Sequence, residues 1–213
     1  MALDPDSRLV LSVQVGARLQ ENAVCLLEDV QPRLDGPPEL ISSDEWSAYP
    51  EAIKEVFGQE VTPPRTGKPG RPAGPRKEIP EDLHYATLNK KRQKGRVSEV
   101  TTRVVVGSVA AVLGLLGGQK VSTSYLERQH GTDRHRNARK GRKTYRFSKD
   151  WEVHEALTRY TMYSYNFCWA VRTLRQEVGP RQYRPRTPAM AAGLTDHVWS
   201  LREWLSFPAF PRR

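Results

Sequence analysis

Cysteine is scarce: only Cys25 and Cys168 occur in 213 residues. They stand far apart and carry no metal-binding spacing, which points to a reduced, cytoplasmic protein. Long hydrophobic runs are also missing. The longest, VGSVAAVLGLLGG (Val106–Gly118), is short and holds four glycines, so no segment reaches bilayer length. The start, MALDPDSR, has neither the basic opening nor the apolar stretch of a signal peptide. Acidic residues are in deficit, 24 against 34 lysines and arginines, for a net charge of +10. That balance favours a polyanionic partner, nucleic acid first and an anionic membrane surface second. The hydrophobic share of 38 % is low yet enough for a folded core with polar appendages.

What is present is unevenly arranged. In RLVLSVQV (Arg8–Val15) the residues Leu9, Leu11, Val13 and Val15 alternate, which predicts a half-buried strand. LDPDS before it reads as a hairpin turn, so a partner strand is expected immediately upstream. Ala23, Leu27 and Val30 mark a helix that Pro32 ends. Then ELISS is a short strand, Asp44 stands at its end, and Tyr49–Phe57 is a short helix. This strand–helix order, with a carboxylate at a strand's carboxyl end, predicts an α/β sheet. Residues Pro63–Lys77 hold five prolines, three glycines and five cations, a composition that builds no core and predicts extended or disordered chain. Tyr85–Leu88 and Val100–Val106 read as strands joined by the basic turn KKRQKGR. The glycine-rich stretch and a helix carrying Glu127 follow. Ser148 is expected to cap a long helix with its buried stripe at Val153, Ala156, Tyr160, Tyr163, Phe167, Ala170 and Leu174. One more short helix is expected in TPAMAAGLTDHVWSLREWL. The five histidines form no ligand spacing.

Several separated segments then agree with one family. SSDEWSAYPEAI, TSYLERQHGTDRHRNARKGRKTYRFSKDWEVHEA, MYSYNF, RTLR and TPAMAAGLTDHVWS resemble, in matching order, the transposases of small bacterial insertion sequences typified by insertion sequence one. The resemblance covers most of the chain outside Gly58–His84. It implies an α/β, RNase H-like (retroviral-integrase-like) core. Residues 1–57 would form its first part, 58–84 a disordered basic Pro/Gly-rich insertion, 85–175 its second part, and 176–213 a tail with a short helix. It also implies three catalytic, metal-ligating carboxylates. Asp44 fills the second place, with Tyr49 five residues on. Glu127 fills the third, inside Tyr125-Leu126-Glu127-Arg128, and Arg134 supplies the basic residue two turns along the same helix face. The first carboxylate belongs on a strand upstream of LDPDS, and Asp4 and Asp6 are poor substitutes. The core is therefore expected to be incomplete at its N-terminus and the chain inactive. Gly131 and Asp133 depart from the family too, because apolar residues are usual there.

The chemistry explains the residue types. Cutting and joining DNA strands are phosphoryl displacements, run by two Mg²⁺ (or Mn²⁺) ions about 3.5–4 Å apart. Such ions take hard oxygen ligands. With Asp44 and Glu127 alone, metal binding is expected to be weak. By themselves, Asp44 could equally be an N-cap and Glu127 a helix-dipole partner. The basic stretch points to DNA independently. Glu127–Lys149 holds nine lysines and arginines against two acids, +7 over 23 residues, dense enough to follow a phosphate backbone. Arg128, Arg134, Arg136, Arg139, Lys140, Arg142 and Lys143 are its candidate DNA contacts. Arg71, inside KPGRP (Lys68–Pro72), resembles the centre of an A·T-hook, with a plain basic linker as the alternative. The expected partner is double-stranded DNA in a bacterial nucleoid, with homodimerisation open and no membrane. A catalytically dead DNA-binding fragment, or a basic structural or partner-binding protein, are the alternatives.

Overall fold

The structure, a computed structural model, describes residues 1–63, 74–141, 143 and 145–207. Strands β1 (Ala2–Leu3) and β2 (Val10–Ser12) open the chain, followed by helix α1 (Gln20–Val30), strand β3 (Leu40–Asp44) and helix α2 (Tyr49–Phe57). Next come β4 (Gln59–Val61), β5 (Arg76–Glu78), β6 (His84–Gln93) and β7 (Arg96–Val106). Helices α3 (Val109–Leu116), α4 (Ser124–Arg136) and α5 (Trp151–Cys168) precede β8 (Gln176–Gly179) and β9 (Gln182–Arg184). Two short helices, α6 (Pro188–Ala191) and α7 (Leu201–Ser206), end the described chain. Among the described residues no helix is long and apolar enough to cross a membrane.

These elements form two compact units. One is continuous, Gly16–Ser124; the other is discontinuous, joining Met1–Val15 to Tyr125–Arg213.

In the continuous unit the sheet order is β3-β6-β7. Strand β3 runs parallel to β6, from Leu40 opposite His84 to Asp44 opposite Leu88, and β6 runs antiparallel to β7. A parallel neighbour needs a crossover, and α2 lies within it. Successive strand residues point to opposite faces, and both faces are covered here. Tyr85 packs with Ala52, Ile53 and Phe57 of α2 and with Ala23 and Leu27 of α1. Ala86 and Leu88, on the other face, pack with Val112 of α3 and with Val121. This is an α/β arrangement. Full burial of a side chain such as Ile53, which is completely enclosed, contributes about 2 kcal/mol. The helix over Tyr49–Phe57 is as expected, with Pro50 in its first turn, where a missing N–H costs nothing. Pro32 stands in the short 3₁₀ turn Gln31–Arg33 that closes α1.

Two expectations for this unit change. Arg76 and Lys77, read as unstructured, pair in β5 with Glu60 and Val61 of β4, so backbone hydrogen bonds order the flank despite its composition. The KKRQKGR segment is not a broad turn. Lys90–Gln93 continue β6, Arg96 begins β7, and only Lys94 and Gly95 turn.

In the discontinuous unit, β1 and β2 form the expected hairpin around the Asp4 turn, where Asp4 accepts from the Ser7 N–H and hydroxyl. Asn166 of α5 grips the hairpin, its Oδ1 accepting from Val10 N and its Nδ2 donating to Val10 O, both at 2.9 Å. Val10 and Val13 pack with Met162 and Tyr165. The long helix therefore turns a different face inward from the apolar stripe. Thr158, Thr161, Met162, Ser164, Tyr165 and Asn166 are buried, while Val153, Ala156 and Ala170 are exposed. The buried threonine hydroxyls donate to carbonyls one turn back, Thr158 to His154 O and Thr161 to Leu157 O, which lets polar residues line a core face. The cap is Asp150, accepting from Val153 N at 2.9 Å, and not Ser148. Its carboxylate two residues further on meets the exposed donors directly. The tail holds two short helices and the β8–β9 hairpin where one helix was expected.

Candidate nucleic-acid interface

In the continuous unit, Asp44 is the last residue of β3. It does not cap α2, whose N-cap is Ala48 without a side-chain bond. Its Oδ2 accepts instead from Arg18 Nη2 at 2.7 Å, and both side chains are more than half exposed. An ion pair so exposed is worth less than about 1 kcal/mol, so it marks where the carboxylate goes without holding the fold together. Arg18 also lies over the Trp46 ring, 4.9 Å from its centroid, and Trp46 meets Tyr49 edge-on at 5.1 Å. Burial raises the Tyr49 phenol above its ordinary range, and the Asp44 charge adds to the shift. Burial likewise raises Tyr85, whose hydroxyl lies 2.7 Å from Ser43 Oγ. Beside them Glu45 accepts from Asn89. Arg18 was not foreseen, because nothing in the sequence links it to a residue 26 positions away. Trp46 and Tyr49 do lie in the segment that carries the family resemblance.

In the discontinuous unit, Glu127 is exposed in the first turn of α4. Tyr125 sits under the guanidinium of Arg8, 3.3 Å from the ring centroid. The candidate cations divide. Arg128, Arg134, Arg139 and Lys143 are exposed. Arg136 is half-buried, donates to Thr161 O at 3.3 Å and lies 4.8 Å over the Trp169 ring. Lys140 donates to Asp133 Oδ2 at 2.6 Å, with only 19 % of its side chain exposed and 4 % of its partner's. Asp133 Oδ1 accepts from Thr161 Oγ1 at 2.9 Å. The carboxylate that stands where the family has an apolar residue is thus buried, paired and hydrogen-bonded, as a buried charge must be. Arg71 and Arg142 lie outside the described residues, as does the KPGRP segment.

Burial, with nearby cations including Arg134 adding to it, lowers His130 below its ordinary range and favours the neutral ring on this basic helix. Asn137 caps the short 3₁₀ turn Ala138–Lys140, its Oδ1 accepting from Arg139 N at 3.1 Å, which fixes the backbone that carries Arg139.

Asp44 and Glu127 belong to different units. Among the described residues no three of His, Cys, Asp and Glu gather into a group that could hold a metal ion. Asp44 is, moreover, paired with Arg18. Among the described residues neither unit assembles the donor set of a divalent-ion site. What the residues offer chemically is a set of exposed cations: Arg128 and Arg134 on α4, Arg139 on the turn that Asn137 caps, and Lys143 beyond it. Comparison with protein-family models, with characterised proteins and with solved structures returns no match.

Proposed function

We propose that the chain binds double-stranded DNA through its phosphates, as a non-cutting relative of the transposases of small bacterial insertion sequences. The observation that carries the reading is the division of charge along Glu127–Lys149. Arg128, Arg134, Arg139 and Lys143 face outward, whereas Asp133, one of only two acids in the stretch, is buried and neutralised by Lys140. That pair cancels internally, so the outward cations of the stretch still far outnumber its one remaining acid, Glu127, and phosphate contacts need this kind of surplus. The parallel β3–β6 pair with helices on both faces supports an RNase H-like relation, and the order of the Asp44–Tyr49 and Tyr125–Arg134 motifs supports the transposase relation. In that family the reaction is transposon-end cleavage and strand transfer. The ion pair of Asp44 with Arg18 supports binding without cutting for this chain.

The test is fluorescence anisotropy of the full chain with a duplex at several salt concentrations in EDTA. Log affinity should fall linearly with log salt, by roughly 0.9 per contacted phosphate. Alanine at Arg128, Arg134 and Arg139 should flatten that slope by about two to three units and weaken all sequences alike. Binding that ignores salt, or a slope unchanged in the triple variant, overturns the proposal. A supercoiled plasmid with Mg²⁺ or Mn²⁺ should stay intact. Nicking abolished by Asp44→Asn or Glu127→Gln would return the chain to the enzymes.

A further inference from the structure

Strand β3 stops pairing with β6 at Asp44 opposite Leu88. Past that point β6 and β7 continue as a two-stranded ribbon, from Asn89 opposite Thr101 to Gln93 opposite Arg96. Every residue from Lys91 to Arg103 is exposed. The ribbon closes through Lys94 and Gly95, both with positive φ (49° and 79°), the backbone that suits a tight hairpin turn to the twist of its strands. Register shifts between Lys91 and Arg92, leaving Ser98 as an extra residue that sharpens the local twist.

Charge on this ribbon is dense. Lys90–Glu99 holds five cations (Lys90, Lys91, Arg92, Lys94, Arg96) and one acid (Glu99), so five minus one gives +4 in ten residues. Residues opposite each other across a pair share a face. On one face Lys91 donates to Glu99 at 2.8 Å, and the charges there offset each other. On the other, Lys90 stands opposite Val100 and Arg92 opposite Val97. Those valines are about half exposed, 54 % and 47 %. Lys94 and Arg96 extend the positive charge to the tip.

We propose that this ribbon is a second DNA-binding element, which enters the major groove of double-stranded DNA. The B-form major groove is about 12 Å wide and admits a two-stranded ribbon. Arg92, Lys94 and Arg96 contact the flanking phosphates, and the Val97 and Val100 methyls lie toward the base edges. Duplex RNA does not fit the same role, because its major groove is deep and narrow. The ribbon lies in the continuous unit and depends on none of the arginines of α4, so it can hold or fail separately from the reading above.

The experiment uses the full chain, a ribbon variant (Arg92→Ser, Lys94→Ser, Arg96→Ser) and a helix variant (Arg128→Ala, Arg134→Ala, Arg139→Ala), with unfolding curves to show that each is folded. Affinity for a 24-base-pair duplex is measured across salt in EDTA, and guanine N7 methylation reports major-groove occupancy. The ribbon variant should flatten the salt slope by about two to three units. It should also lose the N7 protection seen with the unaltered chain, which the helix variant should keep. An unchanged slope with N7 protection intact in the ribbon variant overturns the ribbon proposal and leaves phosphate binding through α4 standing. Equal salt-dependent affinity for duplex RNA, or tighter binding to anionic vesicles than to DNA, overturns it as well.

Discussion

Two basic stretches have different fates. Along Glu127–Lys149, part of the positive charge is taken inward: Lys140 neutralises buried Asp133, and Arg136 lies over Trp169. Along Lys91–Arg96, on a ribbon past the end of the three-stranded sheet, every residue is exposed, and Lys91 pairs with Glu99. The difference teaches that a charge count describes an interface only after the internally paired cations are removed. It also says which substitutions should damage the fold and which should not.

The largest expected effect breaks the inward arrangement. Lys140→Met leaves the Asp133 carboxylate buried without its cation and should cost about 3 kcal/mol in a urea unfolding curve, the penalty usual for stranding one partner of a buried pair. Adding Asp133→Leu should recover most of that loss, because an apolar pair of similar volume is often neutral. If Lys140→Met unfolds at the same urea concentration as the parent, Asp133 is not sealed from water.

Glycines should separate the regions by sign. A Cβ at Gly131 of α4 meets nothing within 4 Å, so Gly131→Ala should stabilise by about 1 kcal/mol through helix propensity alone. Gly95 has φ of +79°, where alanine is strained, so Gly95→Ala should destabilise the ribbon by about 1 kcal/mol. Amide hydrogen exchange across β6–β7 would locate that loss. Matching signs for the two changes would contradict the local backbone given to one of them.

Smaller still is the expected cost of the ribbon charges. Serine at Arg92, Lys94 and Arg96 should shift unfolding free energy by no more than about 0.5 kcal/mol, as exposed surface changes do. A larger loss would place those cations with Lys140, in structural service.

The last expectation is a pH effect in the tail. His197 is bonded by Asp196 at 2.6 Å and by Glu203 at 2.8 Å, and these bonds raise its pKa above the ordinary value. The sign follows from the direction. The stabilisation is fully present below the unfolded pKa of about 6.5 and is lost as pH rises through the higher folded pKa. Asp196, lowered by the same hydrogen bond, contributes above the unfolded carboxylate pKa and loses that contribution as pH falls through its own. The histidine ring protons, followed by NMR, should titrate later than in an unfolded peptide. In Glu203→Gln the midpoint should move back toward the ordinary value.

How much of this was legible follows the physics of each signal. Tyr49–Phe57 and Leu40–Asp44 could be read because proline placement, apolar spacing and burial agree there. The face of α5 could not, because its core side is built from threonines and an asparagine whose hydrogen bonds are satisfied by their own helix and by residues 10 and 133. Apolar periodicity has no view of a polar group satisfied at long range. The charge of Lys140 was visible and its direction was not, since a buried acid on the preceding helix decides it. Asp44 was found by its place at a strand end, but its partner Arg18 had no sequence signature.

The amide clip between Asn166 and Val10 joins residues 156 positions apart, and this sets a schedule. At a synthesis rate of roughly 5–20 residues per second, the opening hairpin waits about 8–30 s for the residue that holds it. A lone two-stranded hairpin is marginal in water, so through that interval Val10 and Val13 lack the Met162 and Tyr165 side chains that later cover them. The continuous unit, Gly16–Ser124, emerges complete in the meantime. Its β3-β6-β7 sheet can form before the discontinuous unit has its final helix. The hairpin is thus made before Gly16–Ser124 but secured after it, and for that interval its care falls to whatever shields nascent apolar chain.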